Sequence, residues 1–180
     1  MRKSNTQMIV FVGLFTALTV IGTYIKIPLP TGAFVHLGNA MLLLAVLFLG
    51  YFKGSLAGGM GFAIFDVLNG FAPEAPYFIL ESFIVGAVAY GLFALFQKNP
   101  TKLWQILVIA AGTGVMKVIM TQIKNTVMQL FLGLDFGPAF SLAATRLPAT
   151  LINVALTAII VAFVYFPLKK AMDRILVQSI

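Results

Sequence analysis

The sequence contains no cysteine, and it has only one histidine and one tryptophan. Without cysteine the chain has no disulfide bond, no thiolate nucleophile and no cysteine-based metal site. The single histidine, His36, has no second imidazole beside it to complete a metal site, so we expect no bound metal and no cofactor. The sequence also lacks a glycine-rich phosphate-binding loop followed by Lys and Ser or Thr. We therefore expect that the chain does not hydrolyse ATP itself.

Charged residues are scarce as well. They make up 9 % of the chain, whereas a soluble domain has about 25 %. Hydrophobic residues reach 61 %, and the mean hydropathy is +1.02. A helix that crosses a bilayer needs about 20 apolar residues, and the chain offers six candidate runs. The composition predicts an all-α membrane protein with six transmembrane helices, organised as one transmembrane domain over residues 1–180.

The six predicted helices are separated by turns that contain proline, glycine or basic residues. We place them at residues 8–25, 40–49, 55–68, 77–96, 103–131 and 141–166, with a short loop at 133–138 before the last one. The first connection, residues 26–38, contains Pro28, Pro30 and Gly32 but is too apolar for a loop that floats in water. We expect this loop 1 to fold back over the bundle as a lid.

The net charge of +7 is explained by topology rather than by nucleic acid, because the cations cluster at alternate ends of the apolar runs. Lys26 is the one cation in the loops on the opposite side. The other flanking cations share one side of the membrane: Arg2, Lys3, Lys53, Lys98, Lys102, Lys169, Lys170 and Arg174. The positive-inside rule then predicts that both termini are cytoplasmic.

Polar residues recur on one face of each of two predicted helices. Lys117, Thr121, Lys124 and Met128 follow each other at steps of four, three and four, which puts both ammonium groups on one side of helix 5. A lysine in lipid costs at least about 2.5 kcal/mol, so this face must meet something polar. Helix 6 repeats the same steps with Arg146, Thr150, Asn153 and Thr157.

Counting depth along each helix at about 1.5 Å per residue brings these groups to one outer region of the bundle. The inner halves of the helices are apolar, which argues against an ion path through the full thickness. We predict a pocket that opens outward and is closed inward, with apolar walls and a few placed polar groups. Its predicted substrate-binding residues are His36, Asn39, Asp66, Asn69, Glu81, Lys117, Thr121, Lys124, Arg146 and Asn153, with Phe34, Tyr77 and Phe78 available to stack on a ring.

Several of these residues allow two interpretations. His36 is either a structural hydrogen-bond donor or a ligand contact. Glu81 forms either a salt bridge with Lys124 or Arg146, or a direct contact with the ligand. Gly13 and Ala17 form a small-x-x-x-small pair, which serves either packing inside the bundle or docking of a partner subunit.

The chain resembles the substrate-binding S components of energy-coupling factor (ECF) vitamin transporters. The resemblance is carried by six helices in about 180 residues, the small pair in helix 1, loop 1, the sequence His36-Leu37-Gly38-Asn39, and the run Gly54 to Gly59 before Asp66. The most similar subgroup is riboflavin-transporter-like and includes proteins assigned to hydroxymethylpyrimidine or pyridoxine uptake.

This resemblance implies a bacterial plasma-membrane subunit that captures a vitamin from outside. It also implies three partners, a transmembrane coupling subunit and two cytoplasmic ATPases, and a toppling motion that turns the pocket to the cytoplasm. An Ala-x-x-x-Ala motif of the family contacts the coupling subunit, and here Gly13 and Ala17 stand at those two positions. For the ligand we expect pyridoxine or hydroxymethylpyrimidine, with riboflavin as the alternative; a phosphorylated ligand is the other way to use three cations.

Two other classes of function are less well supported by the residues. An intramembrane enzyme needs a nucleophile beside a base or a metal cluster, but Ser55, Ser82 and Ser141 have no adjacent histidine, and Asp66, Glu81 and one histidine are a poor metal set. A self-sufficient carrier is disfavoured by the lack of an evident inverted repeat.

Overall fold

The computed structural model describes residues 5–30 and 33–178. Over these ranges the chain forms seven α-helices, one short hairpin and one 3₁₀ turn. The first part runs through α1 (Asn5–Tyr24), β1 (Lys26–Pro28), β2 (Phe34–His36), α2 (Gly38–Leu49) and α3 (Tyr51–Leu68). A 3₁₀ turn (Ala72–Glu74) then leads to α4 (Ala75–Leu95), α5 (Leu103–Phe131), α6 (Phe136–Ala144) and α7 (Leu147–Gln178). Arg2, Lys3 and Gly32, which entered the sequence predictions, lie outside the described residues.

Four segments are long and apolar enough to cross a membrane: Thr6–Tyr24, Ala72–Leu95, Leu103–Phe131 and Leu147–Arg174. The remaining long helices are α2, with 12 residues, and α3, with 18. The chain is therefore a helical membrane protein. Six crossings, and the side on which each terminus lies, stay predictions.

Helix α2 lies at the centre of the bundle. It packs against α1, α3, α4 and α7, and every residue from Leu42 to Leu47 is buried. A helix that is apolar on all sides is expected in a core rather than at a surface. This helix therefore forms the core of the bundle.

Glycine allows α3 to approach both α1 and α2 closely. A Cβ atom built on Gly54 would lie 2.4 Å from the Cα atom of Val46 in α2, and one on Gly61 would lie 2.5 Å from the Cβ atom of Thr19 in α1. Neither contact leaves room for a side chain. Between α2 and α3 the chain turns at Gly50, whose φ of 84° is a conformation that glycine adopts without strain.

The single last helix predicted at residues 141–166 is two helices, α6 and α7, with a break at Thr145 and Arg146. The disturbance expected from Pro148 near Arg146 is therefore a complete break. Pro148 explains it, since proline has no N–H to bond the carbonyl of Ala144 four residues earlier and its ring clashes with that carbonyl, whereas it fits the first turn of the new helix. Pro138 lies in the first turn of α6 for the same reason, so the predicted loop at 133–138 already contains the start of a helix.

Loop 1 is ordered by an antiparallel hairpin. Lys26 pairs with His36, Ile27 with Val35, and Pro28 with Phe34. The hairpin contacts α1 and α7 through β2, so it lies against one end of the bundle. This contact gives loop 1 a fixed position over the helices beneath it.

Candidate functional site

A cavity of about 190 Å³ lies between the hairpin and helices α3, α4, α5 and α7. Of the predicted substrate-binding residues, all except Asn69 line it: Phe34, His36, Asn39, Asp66, Tyr77, Glu81, Lys117, Thr121, Lys124, Arg146 and Asn153. Phe78 and Thr150 also line it. Asn69 ends α3, and its side-chain amide donates to the carbonyl of Phe65 at 2.8 Å. The half-buried cations of α5, Lys117 and Lys124, and Arg146 just before α7 thus face a common cavity.

Several lining residues were missed by the sequence analysis, including Lys26, Phe62, Phe65, Glu74 and Asn125. Asn125 had a usable signal, because it lies four residues after Thr121 and eight after Lys117 on the same helical face. Glu74 gave no such signal in the sequence, because it lies in the short 3₁₀ turn before α4, where no helical periodicity applies. Phe62 and Phe65 resemble ordinary core residues in the sequence.

An ion pair joins α4 to α5 at the cavity wall. The ammonium group of Lys117 binds one carboxylate oxygen of Glu81. The other oxygen lies 3.0 Å from the Tyr77 hydroxyl, which is also 2.9 Å from the carbonyl oxygen of Met120. Glu81 was predicted to pair with Lys124 or Arg146; its partner is Lys117, because α5 presents that lysine directly opposite the second turn of α4.

A second ion pair lies beside the first. Lys124 binds Glu74 from the 3₁₀ turn. The ring of Phe78 separates the two lysines, with its centre 4.5 Å from Nζ of Lys124 and 5.4 Å from Nζ of Lys117. Each ammonium therefore has a carboxylate and an aromatic face as partners, which offsets the cost of its burial.

Asn153 fastens the hairpin to α7. Its Oδ1 accepts a hydrogen bond from the backbone N–H of His36 at 2.8 Å, and its Nδ2 donates to the backbone oxygen of Phe34 at 2.8 Å. The carboxamide thus pairs with β2 as a neighbouring strand would. Because Asn153 is buried, these bonds are shielded from water. They hold β2 against α7 at the edge of the cavity.

The imidazole of His36 is neutral. Desolvation, together with the nearby ammonium groups of Lys117 and Lys26, lowers its pKa from 6.5 to about 3. Its Nδ1 accepts a hydrogen bond from the N–H of Gly38 at 3.2 Å, so the proton of the neutral ring is on Nε2. Nδ1 of His36 therefore accepts a hydrogen bond from its own chain, and the N–H at Nε2 is available to donate one.

Three polar groups in the cavity wall lack the partners that the lysines have. The Oδ2 atom of Asp66 is buried and has no hydrogen bond to any described residue, and the same holds for Oδ1 of Asn39. The guanidinium of Arg146 has no hydrogen-bond or ion-pair partner among residues 5–30 and 33–178. Within the same ranges no three His, Cys, Asp or Glu side chains are grouped to hold a metal ion.

The small pair of α1 faces away from the bundle. Gly13 and Ala17 are both exposed, and a Cβ atom built on Gly13 meets nothing within 4 Å. Phe15 and Thr19, on the opposite face, are buried. Packing inside this chain therefore does not explain the small residues at positions 13 and 17.

The sequence model of the family described as "ECF-type riboflavin transporter, S component" matches residues 3–170. No curated protein matches the chain. The matched residues include every helix that contributes to the cavity.

Proposed function

Since the chain belongs to the family of ECF-type riboflavin transporter S components, we propose that it captures a small vitamin at the outer face of a bacterial plasma membrane. S components of this family are membrane-embedded vitamin-binding subunits that work with an ECF membrane subunit and ATPases. The observation that carries the proposal is the cavity, because half-buried cations, acids and aromatic rings from α3, α4, α5 and the connecting segments converge on it.

The favoured ligand is a vitamin with a single ring, pyridoxine or hydroxymethylpyrimidine. An engineered cavity of about 150 Å³ holds one benzene molecule, and the cavity here measures about 190 Å³. Riboflavin has three fused rings and a sugar-alcohol chain, so it needs considerably more room. It is the alternative ligand because the family description names it.

The proposed arrangement in the membrane has six crossings, with both termini in the cytoplasm and the hairpin outside. The hairpin then acts as the lid that a ligand passes on its way to the cavity. Energy comes from a transmembrane coupling subunit and two cytoplasmic ATPases, and the coupling subunit docks on α1 at Gly13 and Ala17. Support for this docking site comes from the exposure of both small residues.

Mass spectrometry of small molecules that co-purify with the detergent-solubilised protein tests the proposal without assuming a ligand. We expect pyridoxine or hydroxymethylpyrimidine in the wild type and much less in Lys124→Ala. Lys53→Ala is the matched control, because Lys53 is exposed at the start of α3, away from the cavity. A wild-type protein that retains no vitamin, and binds none of the three when they are added, would contradict the proposal.

A further inference from the structure

The cavity wall contains charged side chains besides the four that form its two ion pairs. Three of the five acidic residues of the chain line it, namely Asp66, Glu74 and Glu81. Glu74 and Glu81 are neutralised by Lys124 and Lys117. Asp66 alone of the three has no ion-pair partner among the described residues.

Asp66 has an acceptor atom for which the described residues supply no donor. The residue is only 5 % exposed, and its Oδ2 atom is buried without a hydrogen bond to any of them. The N–H of Phe71 bonds to the backbone oxygen of Asp66 at 2.7 Å, not to the carboxylate. A buried carboxylate without a partner is costly, so the missing donor is expected to come from a ligand.

The unpaired cation of the cavity is Arg146. Lys26 also lines the cavity, but its ammonium lies 4.6 and 4.7 Å from the ring centres of Phe34 and Phe65. Arg146 has no comparable partner among the described residues, although its planar guanidinium offers five donors in a fork that suits an oxygen acceptor.

We propose that the ligand is a dipolar heteroaromatic ring, with an N–H that donates to Asp66 and an oxygen that accepts from Arg146. This inference rests on the proposed vitamin-binding function and specifies the chemistry of that site. The two free groups have opposite charge, so a ring with a positive donor and a negative acceptor complements both, whereas a neutral polyol would offer Asp66 only an uncharged and weaker hydroxyl donor. Pyridoxine, a 3-hydroxypyridine, meets both requirements, because at neutral pH it has a protonated ring nitrogen and a phenolate oxygen on one ring.

Binding of two matched probes to two proteins tests the proposal. The probes are pyridoxine and its carbocyclic analogue, in which the ring nitrogen is replaced by C–H. We expect the wild type to bind pyridoxine about tenfold or more tightly than the analogue, since that is the effect of losing one hydrogen bond to a charged group. Asp66→Asn should lose most of this preference and bind the analogue as the wild type does.

Asp135→Asn is the matched control, because Asp135 is exposed at the start of α6. If Asp66→Asn does not fold, the wild-type comparison of the two probes still tests the dipolar ring, because at neutral pH the analogue has neither the N–H nor a phenolate. Arg146→Gln with the methyl ether of pyridoxine then tests the oxygen by itself. Equal preference in the wild type and Asp66→Asn, or none in the wild type, overturns the dipolar ligand. Tight riboflavin binding without binding of pyridoxine also overturns it but leaves the vitamin-capture function intact.

Discussion

Replacing Asn153 with alanine removes both hydrogen bonds between α7 and β2. Each such bond contributes about 1 kcal/mol net, so the hairpin loses about 2 kcal/mol of attachment, which is about 30-fold in the equilibrium between its closed and open positions. If the hairpin is the lid over the ligand, dissociation should become faster by up to about the same factor. The association rate should rise as well, because the ligand also enters through the open state.

Stopped-flow release of bound ligand measures this effect, and hydrogen exchange at residues 34–36 reports the opening of β2 directly. The matched control is Asn69→Ala, which removes an amide of the same size that binds only the carbonyl of Phe65 in its own helix. The control should release ligand at the wild-type rate. Unchanged release and unchanged exchange in Asn153→Ala would refute the lid and its attachment to α7.

Three further predictions concern the cavity and α1. Lys124→Ala and Arg146→Ala should each weaken ligand binding by about tenfold or more while the protein still inserts into the membrane; unchanged affinity in both would remove them from the site. Ala17→Leu should leave ligand binding intact but abolish uptake with the full transporter, since bulk blocks close helix approach, whereas Ala87→Leu, at an exposed alanine of α4, should transport normally. The imidazole of His36 should show no titration by NMR between pH 8 and 5, because its pKa is about 3; a transition near pH 6.5 would contradict its neutral, enclosed state.

The polar face of α5 was predictable because helical periodicity is local. Steps of three and four bring Lys117, Thr121 and Lys124 to one side of a helix whatever the rest of the chain does. The high cost of a lysine in lipid then requires a polar cavity or a partner next to that face. For the same reason Arg146 and Asn153 were placed on a common face, which the structure keeps even though the helix breaks near Arg146.

The pairing of these groups was not predictable from local pattern. Glu74 and Lys124 are 50 residues apart, and only the packing of α4 on α5 brings them together. Asn153 binds β2 across 117 and 119 residues, a contact that depends on the path of loop 1. The start of α6 was missed because Gly137 and Pro138 were interpreted as helix breakers, although proline is tolerated in a first helical turn.

The central claim is that the half-buried cations face a ligand cavity that is open to the outside. Since the chain has no native cysteine, a single Thr121→Cys substitution reports on the cavity without background. The account predicts that a membrane-impermeant maleimide labels this cysteine in intact cells and that added ligand protects it, while Thr101→Cys, in the turn before α5, reacts only after the cells are permeabilised. Labelling of position 121 only from the cytoplasmic side, or labelling that no ligand reduces, would contradict it.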